Sequence, residues 1–445
     1  MNFIQTVLAF LLALGPLIIF HELGHYAVAR LCGVKVLRFS LGMGKIVWSR
    51  KFGADQTEWA ISALPLGGYV KMLDARDPDA PAMTPAEQAR EFTRQSVWRR
   101  LAIIAAGPLA NFVLAIVVFS GLYMHGVEEL DTRVRFMPET TAAWQAGLRG
   151  GDRVIAVNGT PVAVWSDLRW EFIQAVVDKG ELRLDVERAA GGRVSLAVPA
   201  SALAGLDVEG DLLRVLGMSP YLPAATIEQV LPGGPGARAG LRAGDVVTEI
   251  DGQPVADSGV LLATVRAAPG RTLVFGGQHD GAPFSLEVTP ERDPASKLGR
   301  ILVRQTGPQM VVNASGPISA VGKAVRKTWE TSFMTVKMVG KMMTGEVSWK
   351  NVTGPITIAD YAGQSARAGA IEFLGFIAFI SISLGVMNLL PIPVLDGGLL
   401  LYYSLEVLTG RPLPERIGEI AQRAGLGLLV MLMALAVFND VARLL

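Results

Sequence analysis

The sequence predicts a polytopic α-helical membrane protein with four transmembrane helices and two small repeated α+β domains outside the membrane. Three observations carry that prediction. Four apolar runs, roughly 4–25, 101–123, 371–392 and 424–442, are each long enough to cross a bilayer as a helix. The composition is 51% hydrophobic and only 18% charged, with a mean hydropathy of +0.38. A stretch of sequence also returns after 93 residues, from Ala146 to Ala239, which is the size of one small domain and not of a solenoid repeat. At 445 residues the chain has room for about three domains.

The first run reads as a retained span. It lacks the basic start and the small-residue cleavage site of a signal peptide. Val7 to Phe20 carry no charge, and the run ends in His21-Glu22-Leu23-Gly24-His25. This is the spacing H-E-x-x-H. On a helix, positions i and i+4 share one face, so both imidazoles can bind one Zn²⁺ while the glutamate activates a water. The alternative is a lipid-facing helix with incidental polar residues. Ionisable groups inside a span are costly and by default functional, which favours the metal reading.

Lys and Arg placement sets the orientation. Arg30, Lys35 and Arg38 follow the first span, Arg99 and Arg100 precede the second, and Met1 to Gln5 carry neither residue type. The loop between spans one and two is therefore expected in the cytoplasm. Both termini and the segment 124–370 then lie outside it, in the periplasm if the cell is a bacterium. Within the first loop, 36–48 and 57–73 have strand chemistry and read as a hairpin, and Asp74–Arg99 reads as a polar loop.

The outer segment holds the repeat. Ala146-Gly147-Leu148-Arg149-Gly150-Gly151-Asp152 returns as Ala239-Gly240-Leu241-Arg242-Ala243-Gly244-Asp245, and Val157-Asn158-Gly159 returns as Ile250-Asp251-Gly252. Each copy predicts a helix ending at glycine, then a strand, then an Asn-Gly or Asp-Gly hairpin. The pattern resembles PDZ domains of bacterial envelope proteases, placed here at 127–220 and 221–305. The resemblance implies that each copy takes an extended peptide, such as a C-terminus, as an added strand. The other reading is a pair of rigid spacers. In the remaining outer segment, 306–370, Ile318–Met343 reads as an amphipathic helix. Lys323, Lys327, Lys337 and Lys341 alternate with Trp329, Phe333, Met334, Met338 and Met342. That mixture suits a helix lying on the lipid bilayer, or one packed on the second repeat.

Two histidines do not complete a catalytic zinc site, which takes three protein ligands. Positions 28 and 31 are Val and Leu, so the extended motif ending in a third histidine is absent. The single cysteine, Cys32, excludes a cysteine-rich site, and the net charge of +1 gives no case for nucleic acid. A carboxylate is available in Asn388-Leu389-Leu390-Pro391-Ile392-Pro393-Val394-Leu395-Asp396-Gly397-Gly398. The prolines break the helix and the glycines allow tight backbone. Asp396 is the only acid between Glu372 and Glu406. Spans one and three run in the same direction, which puts Asp396 and His25 on the same side of the bilayer. A plain turn at a membrane exit is the competing reading.

HELGH, Gly107-Pro108-Leu109-Ala110-Asn111-Phe112, the paired PDZ motifs and Asn388–Gly398, in this order, resemble the site-2 protease family of intramembrane zinc metalloproteases. The resemblance spans nearly the whole chain. It implies one Zn²⁺ held by His21, His25 and Asp396. Glu22 is implied as general base toward water and then as proton donor to the leaving amine. Asn388 is implied as a contact to substrate backbone or the oxyanion. Asn111 is implied as a contact behind a ligand or to substrate, a helix–helix hydrogen bond being the plainer role. Leu399 stands where some relatives carry histidine, which leaves the His-His-Asp set intact. The family also places a membrane re-entrant β-hairpin at about 36–73. Gly67, Gly68, Tyr69, Val70 and Lys71 would there receive substrate backbone as an edge strand, where an ordinary cytoplasmic hairpin is the alternative. The implied substrates are single-span membrane proteins such as anti-sigma factors already trimmed outside, and remnant signal peptides, in a bacterial inner membrane. The implied layout is 1–123 for spans one and two and 371–445 for spans three and four. A non-hydrolytic PDZ scaffold or chaperone is the alternative from another class. The conjunction of His21, Glu22, His25 and Asp396 speaks against it.

Overall fold

The structure, a computed structural model, describes residues 3–75, 83–135, 137–178, 181–203, 212–294, 296–346, 348–349, 352–411 and 415–444. It divides into two compact units, Met1–Gly126 with Ala314–Leu445, and Val127–Asn313.

The first unit contains helices α1 (Phe3–Leu31), α2 (Val97–His125), α3 (Pro317–Met343), α4 (Pro355–Ala368), α5 (Ala370–Leu389), α6 (Asp396–Thr409) and α7 (Glu415–Leu444), with strands β1 (Val36–Phe52) and β2 (Thr57–Met72). Among the described residues four stretches are long and apolar enough to cross a membrane: Ile4–Leu31, Val97–His125, Ala370–Leu389 and Ile420–Ala442. The chain is thus a multi-pass membrane protein with sheet-rich parts. The first helix runs six residues past His25 because nothing breaks it before Gly33, at φ +81°. The HELGH segment consequently lies inside α1 and not at its end.

Small residues let the spans approach closely, which is how helices associate where lipid removes the hydrophobic driving force. Gly24 of α1 faces Ala106 and Ala110 of α2, and Gly385 of α5 faces Phe112 and Pro108. Ser381 of α5 donates to the Asn111 carbonyl at 2.7 Å. The amphipathic α3 buries Ala320, Ala324 and Thr328, packs along α2 and α5 within this unit, and leaves Trp329, Phe333 and Met334 exposed. Near the end of α7 the buried Asp440 accepts from Gly354 N and Ile356 N at 2.9 Å, and from Thr357 N and Oγ1 at 3.1 and 2.6 Å. It thereby satisfies the open amides at the start of α4.

The two strands β1 and β2 make a curled sheet. Gly68–Lys71 pair with Arg38–Leu41 in antiparallel fashion, and Thr57–Ser62 pair with Ile46–Phe52. Glu58–Ile61 also lie beside Arg38–Leu41, with residue numbers advancing in step. The start of β1 is therefore a central strand with a neighbour on each side. Bends at Gly42–Lys45 and Ala63–Gly67 form one end of the sheet, where Met43 and Leu64 are exposed, and the turn 53–56 lies at the other end. That turn is tied down by Asp55, which accepts from Arg90 Nη1 and Nη2 at 2.6 and 2.7 Å and from Arg30 Nη1 at 2.6 Å. The hydrogen-bonded Arg90 holds the Asp55 carboxyl below its usual range. Of the polar stretch 74–99, residues 76–82 lie outside the described residues.

The second unit contains two larger sheets and two short two-stranded pairs among the described residues. Strands Arg153–Val157, Leu182–Glu187 and Arg193–Val198 form the first with a short fourth strand, beside helix Trp165–Asp178. The second runs in the order Ala282–Val288, Leu273–His279, Val246–Ile250, Ala225–Val230, Val303–Gln305. Repeated sequence gives repeated geometry. Arg149 N donates to Asp152 Oδ2 at 2.9 Å and Arg242 N to Asp245 Oδ2 at 2.8 Å. Asn158-Gly159 and Asp251-Gly252 both turn through positive φ, as a two-residue hairpin requires. In the second sheet a groove of about 550 Å³ opens between helix Ser258–Ala267 and Ile301–Gln305. Beside the first sheet Leu212–Val215 is helical, and Leu212, Leu213 and Leu216 are buried in the core. Arg135 and Asp257 form a two-pronged ion pair that links the two sheets' neighbourhoods. Strand Met310–Asn313 pairs antiparallel with Val127–Leu130, so the unit's entry and exit run side by side.

Candidate active site

The site is built where α1, α2 and the start of α6 meet. His21, Glu22 and His25 are each only 9% exposed. Asp396 opens α6 after a non-helical stretch. Pro391 and Pro393 interrupt the backbone, and Val394 takes φ +90°, which a β-branched residue adopts only under strain. Gly397 and Gly398 sit against the Leu390 and Ile392 carbonyls, where no side chain fits.

Three donor atoms converge. His21 Nε2 and His25 Nε2 are 3.3 Å apart, and they lie 3.2 and 3.5 Å from Asp396 Oδ2. The edge of a tetrahedron around zinc, with ligands at ~2.0–2.1 Å, is about 3.3 Å. The spacing therefore fits a tetrahedral metal with one position left open. These three are the only such cluster of His, Cys, Asp or Glu among the described residues.

The imidazoles are oriented from behind. His25 Nδ1 donates to the Ile103 carbonyl at 2.8 Å, which leaves the Nε2 lone pair for a metal. His21 Nδ1 lies 3.3 Å from Asn111 Nδ2, while Asn111 Oδ1 is buried and has no hydrogen-bond partner among the described residues. Turning that amide by half a revolution places Oδ1 on the His21 Nδ1–H and satisfies both groups. Gly107 lies so close to His25 that a methyl group there would come within 2.2 Å of Nε2.

The sheet reaches the same place. A methyl group on Gly68 would come within 2.8 Å of Glu22 Cγ and 3.1 Å of Ile18 Cγ2. Glycine thus lets β2 lie directly against Glu22. Gly68–Val70 pair with β1 on one side, and no strand pairs with their other edge among the described residues. Asn388 is half-buried in the last turn of α5, with no hydrogen bond to His21, His25 or Asp396 among the described residues. The other two histidines are elsewhere: His125 ends α2, and His279 pairs with Asp245 at 2.6 Å.

Two elements of this geometry escape a reading of motifs. One is the Ile103 carbonyl, because a backbone atom leaves no residue-type signal. The other is α6, a helix too short for the length rule that finds spans. The role of Gly107 had a visible signal, since a glycine beside a proline in a span has to have a packing reason.

A buried histidine pair and a carboxylate, poised for a metal within membrane-spanning helices, define a membrane-embedded metallopeptidase. The comparisons agree. The model of peptidase family M50 matches residues 9–432. The chain is 37% identical over 455 residues to the regulator of sigma-E protease RseP of Escherichia coli, covering 100% of both proteins. It is 42% identical over 457 residues to a Ralstonia nicotianae protein that carries the name zinc metalloprotease, covering 99% of this chain and 98% of that one. A similarly named Neisseria meningitidis protein is 38% identical over 454 residues. The chain belongs to peptidase family M50, the site-2 proteases. It is an intramembrane zinc metalloendopeptidase.

Proposed function

We propose that His21, His25 and Asp396 hold the zinc and that Glu22 moves the protons of hydrolysis. The convergence of the three donor atoms at 3.2–3.5 Å, one residue along from Glu22, carries this reading. Bound zinc supplies Lewis acidity, which polarises the scissile carbonyl and acidifies water. Glu22 takes the proton of the attacking water and delivers it to the leaving amine. The Asn111 amide and the Ile103 carbonyl keep each imidazole turned toward the metal. Asn388, one turn before the broken helix, supplies an amide donor to substrate backbone or to the developing oxyanion.

A transmembrane helix hides its scissile bonds, because its backbone groups are already bonded to one another. In this reading the substrate unwinds and adds to the edge Gly67, Gly68, Tyr69, Val70 and Lys71, next to Glu22. The sheet enters the bilayer with its bends at 42–45 and 63–67, whose exposed apolar side chains suit lipid. Val70→Pro removes a backbone donor from this edge and should cut turnover about tenfold or more with zinc retained. Unchanged turnover in a reconstituted assay would defeat the edge assignment.

The two sheets of residues 127–313 are PDZ domains on the periplasmic side of a bacterial inner membrane, with both termini there and the zinc site toward the cytoplasm. Their boundaries are about 127–220 and 221–305. The open groove beside Ser258–Ala267 supports peptide capture by the second copy. By likeness to regulator of sigma-E proteases, the substrates are single-span anti-sigma factors already shortened outside, with remnant signal peptides a second class. The test is reconstitution in vesicles with a single-span substrate, using enzyme lacking 127–313. Deletion at 305 would leave the strand Met310–Asn313 without its partner. Loss of cutting of pre-shortened substrate supports presentation by the groove. New cutting of substrates with bulky outer domains would replace presentation with size exclusion.

A further inference from the structure

We propose that Arg100 and Glu406 form a register clamp that positions Asp396 at the zinc site. The proposal rests on the assignment of His21, His25 and Asp396 as ligands.

Asp396 is the one ligand that does not come from α1. It opens α6 directly after a non-helical segment. Pro391 and Pro393 break the helix and Val394 is strained. The backbone ladder of α5 therefore does not run on into α6, and a second anchor adds to its register. The structure shows one at the opposite end of α6. Arg100 Nη2 donates to Glu406 Oε1 at 2.7 Å, and Nη1 to Oε2 at 3.2 Å. The two side chains are 11% and 17% exposed, so this is no solvated surface pair. The guanidinium also lies 4.4 Å from the centre of the Tyr403 ring, which is itself buried and edge-on to Phe92. A planar, two-pronged contact of this kind fixes position along the helix as well as contact, which a single ammonium does not.

The spacing matches the site. α2 runs eleven residues from Arg100 to Asn111, which touches His21, and α6 runs ten residues back from Asp396 to Glu406. At ~1.5 Å per residue these are about 16 and 15 Å. The two helices are antiparallel and joined at both ends of nearly equal segments, by the zinc site at one end and by the ion pair at the other. A slip of α6 by one turn would carry Asp396 away from the histidines by about 5.4 Å, several times the tolerance of a metal ligand. Arg100 is thus more than a marker of topology. It is a positioning residue that acts through α6.

The test uses the full-length enzyme in detergent. Zinc retention is measured against graded chelator, and kcat and KM are measured on a single-span substrate in vesicles. Arg100→Gln and Glu406→Gln should each release zinc at about tenfold lower chelator and lose about tenfold in kcat, with KM within about twofold. Arg100→Lys should fall between, because it keeps the charge and loses the fork. Arg99→Gln removes the same charge one residue away and should match the wild type. Only the monodisperse folded fraction is scored. If one variant does not fold, the other and Arg100→Lys carry the measurement. Wild-type zinc retention in Glu406→Gln or Arg100→Gln overturns the proposal, as does equal loss in Arg99→Gln. His21→Ala separates the two levels. If it too retains zinc, the ligand assignment has failed and not the clamp.

Discussion

Glu22→Gln yields a folded, zinc-loaded enzyme whose kcat is lower by about 10²–10⁴-fold, the range expected when a general acid–base is removed. The substitution keeps the size of the side chain and takes away only its ability to accept and return a proton. Glu22 touches Gly68 through its aliphatic part and is not among the three converging donor atoms. Neither sheet packing nor metal binding should change. The measurement is single-turnover cleavage of a single-span substrate in vesicles, with the zinc-to-protein ratio determined on the same preparation. Wild-type turnover would remove Glu22 from the chemistry. Loss of zinc alongside activity would make it part of the metal site.

Gly107→Ala should abolish zinc binding and activity together, although it adds a single methyl group to a helix. At Gly107 that methyl would come within 2.2 Å of His25 Nε2, 2.6 Å of Cε1 and 2.8 Å of Cδ2, well inside any carbon contact with the ring. Either the imidazole turns away and loses its Ile103 bond, or α1 and α2 separate and Gly24 loses its contact with Ala106. Gly121, in the same helix, has no atom within 4 Å of its would-be methyl. Gly121→Ala should therefore leave zinc content and kcat unchanged. Zinc content by elemental analysis reads both variants directly. A zinc-loaded, active Gly107→Ala enzyme would show that the α1–α2 contact is looser than the structure has it.

The site was legible where chemistry is carried by residue type and spacing. His21, Glu22 and His25 declare themselves by a helical period, and Asp396 by being the lone acid in a long apolar stretch. The spans were legible for a similar reason, since lipid accepts few charges and demands a minimum length. Less was legible where backbone does the work. The central position of Arg38–Leu41, flanked on both sides, cannot be read from strand propensity, because propensity is silent about partners. The Ile103 carbonyl carries no side-chain signal. The Arg100–Glu406 contact spans 306 residues of chain, and in the sequence Arg100 reads only as a positive charge beside a span.

The pairing of Val127–Leu130 with Met310–Asn313 has a consequence for the chain as a whole. Just beyond this pair, Ser315 N donates to the Tyr123 carbonyl at 2.8 Å. The membrane-embedded part is therefore one continuous protein opened at a single spot, and residues 127–313 are a cassette spliced into it. Cassettes with adjoining ends can be removed or exchanged without rerouting the host chain. The membrane-embedded body and the inserted unit can therefore vary separately.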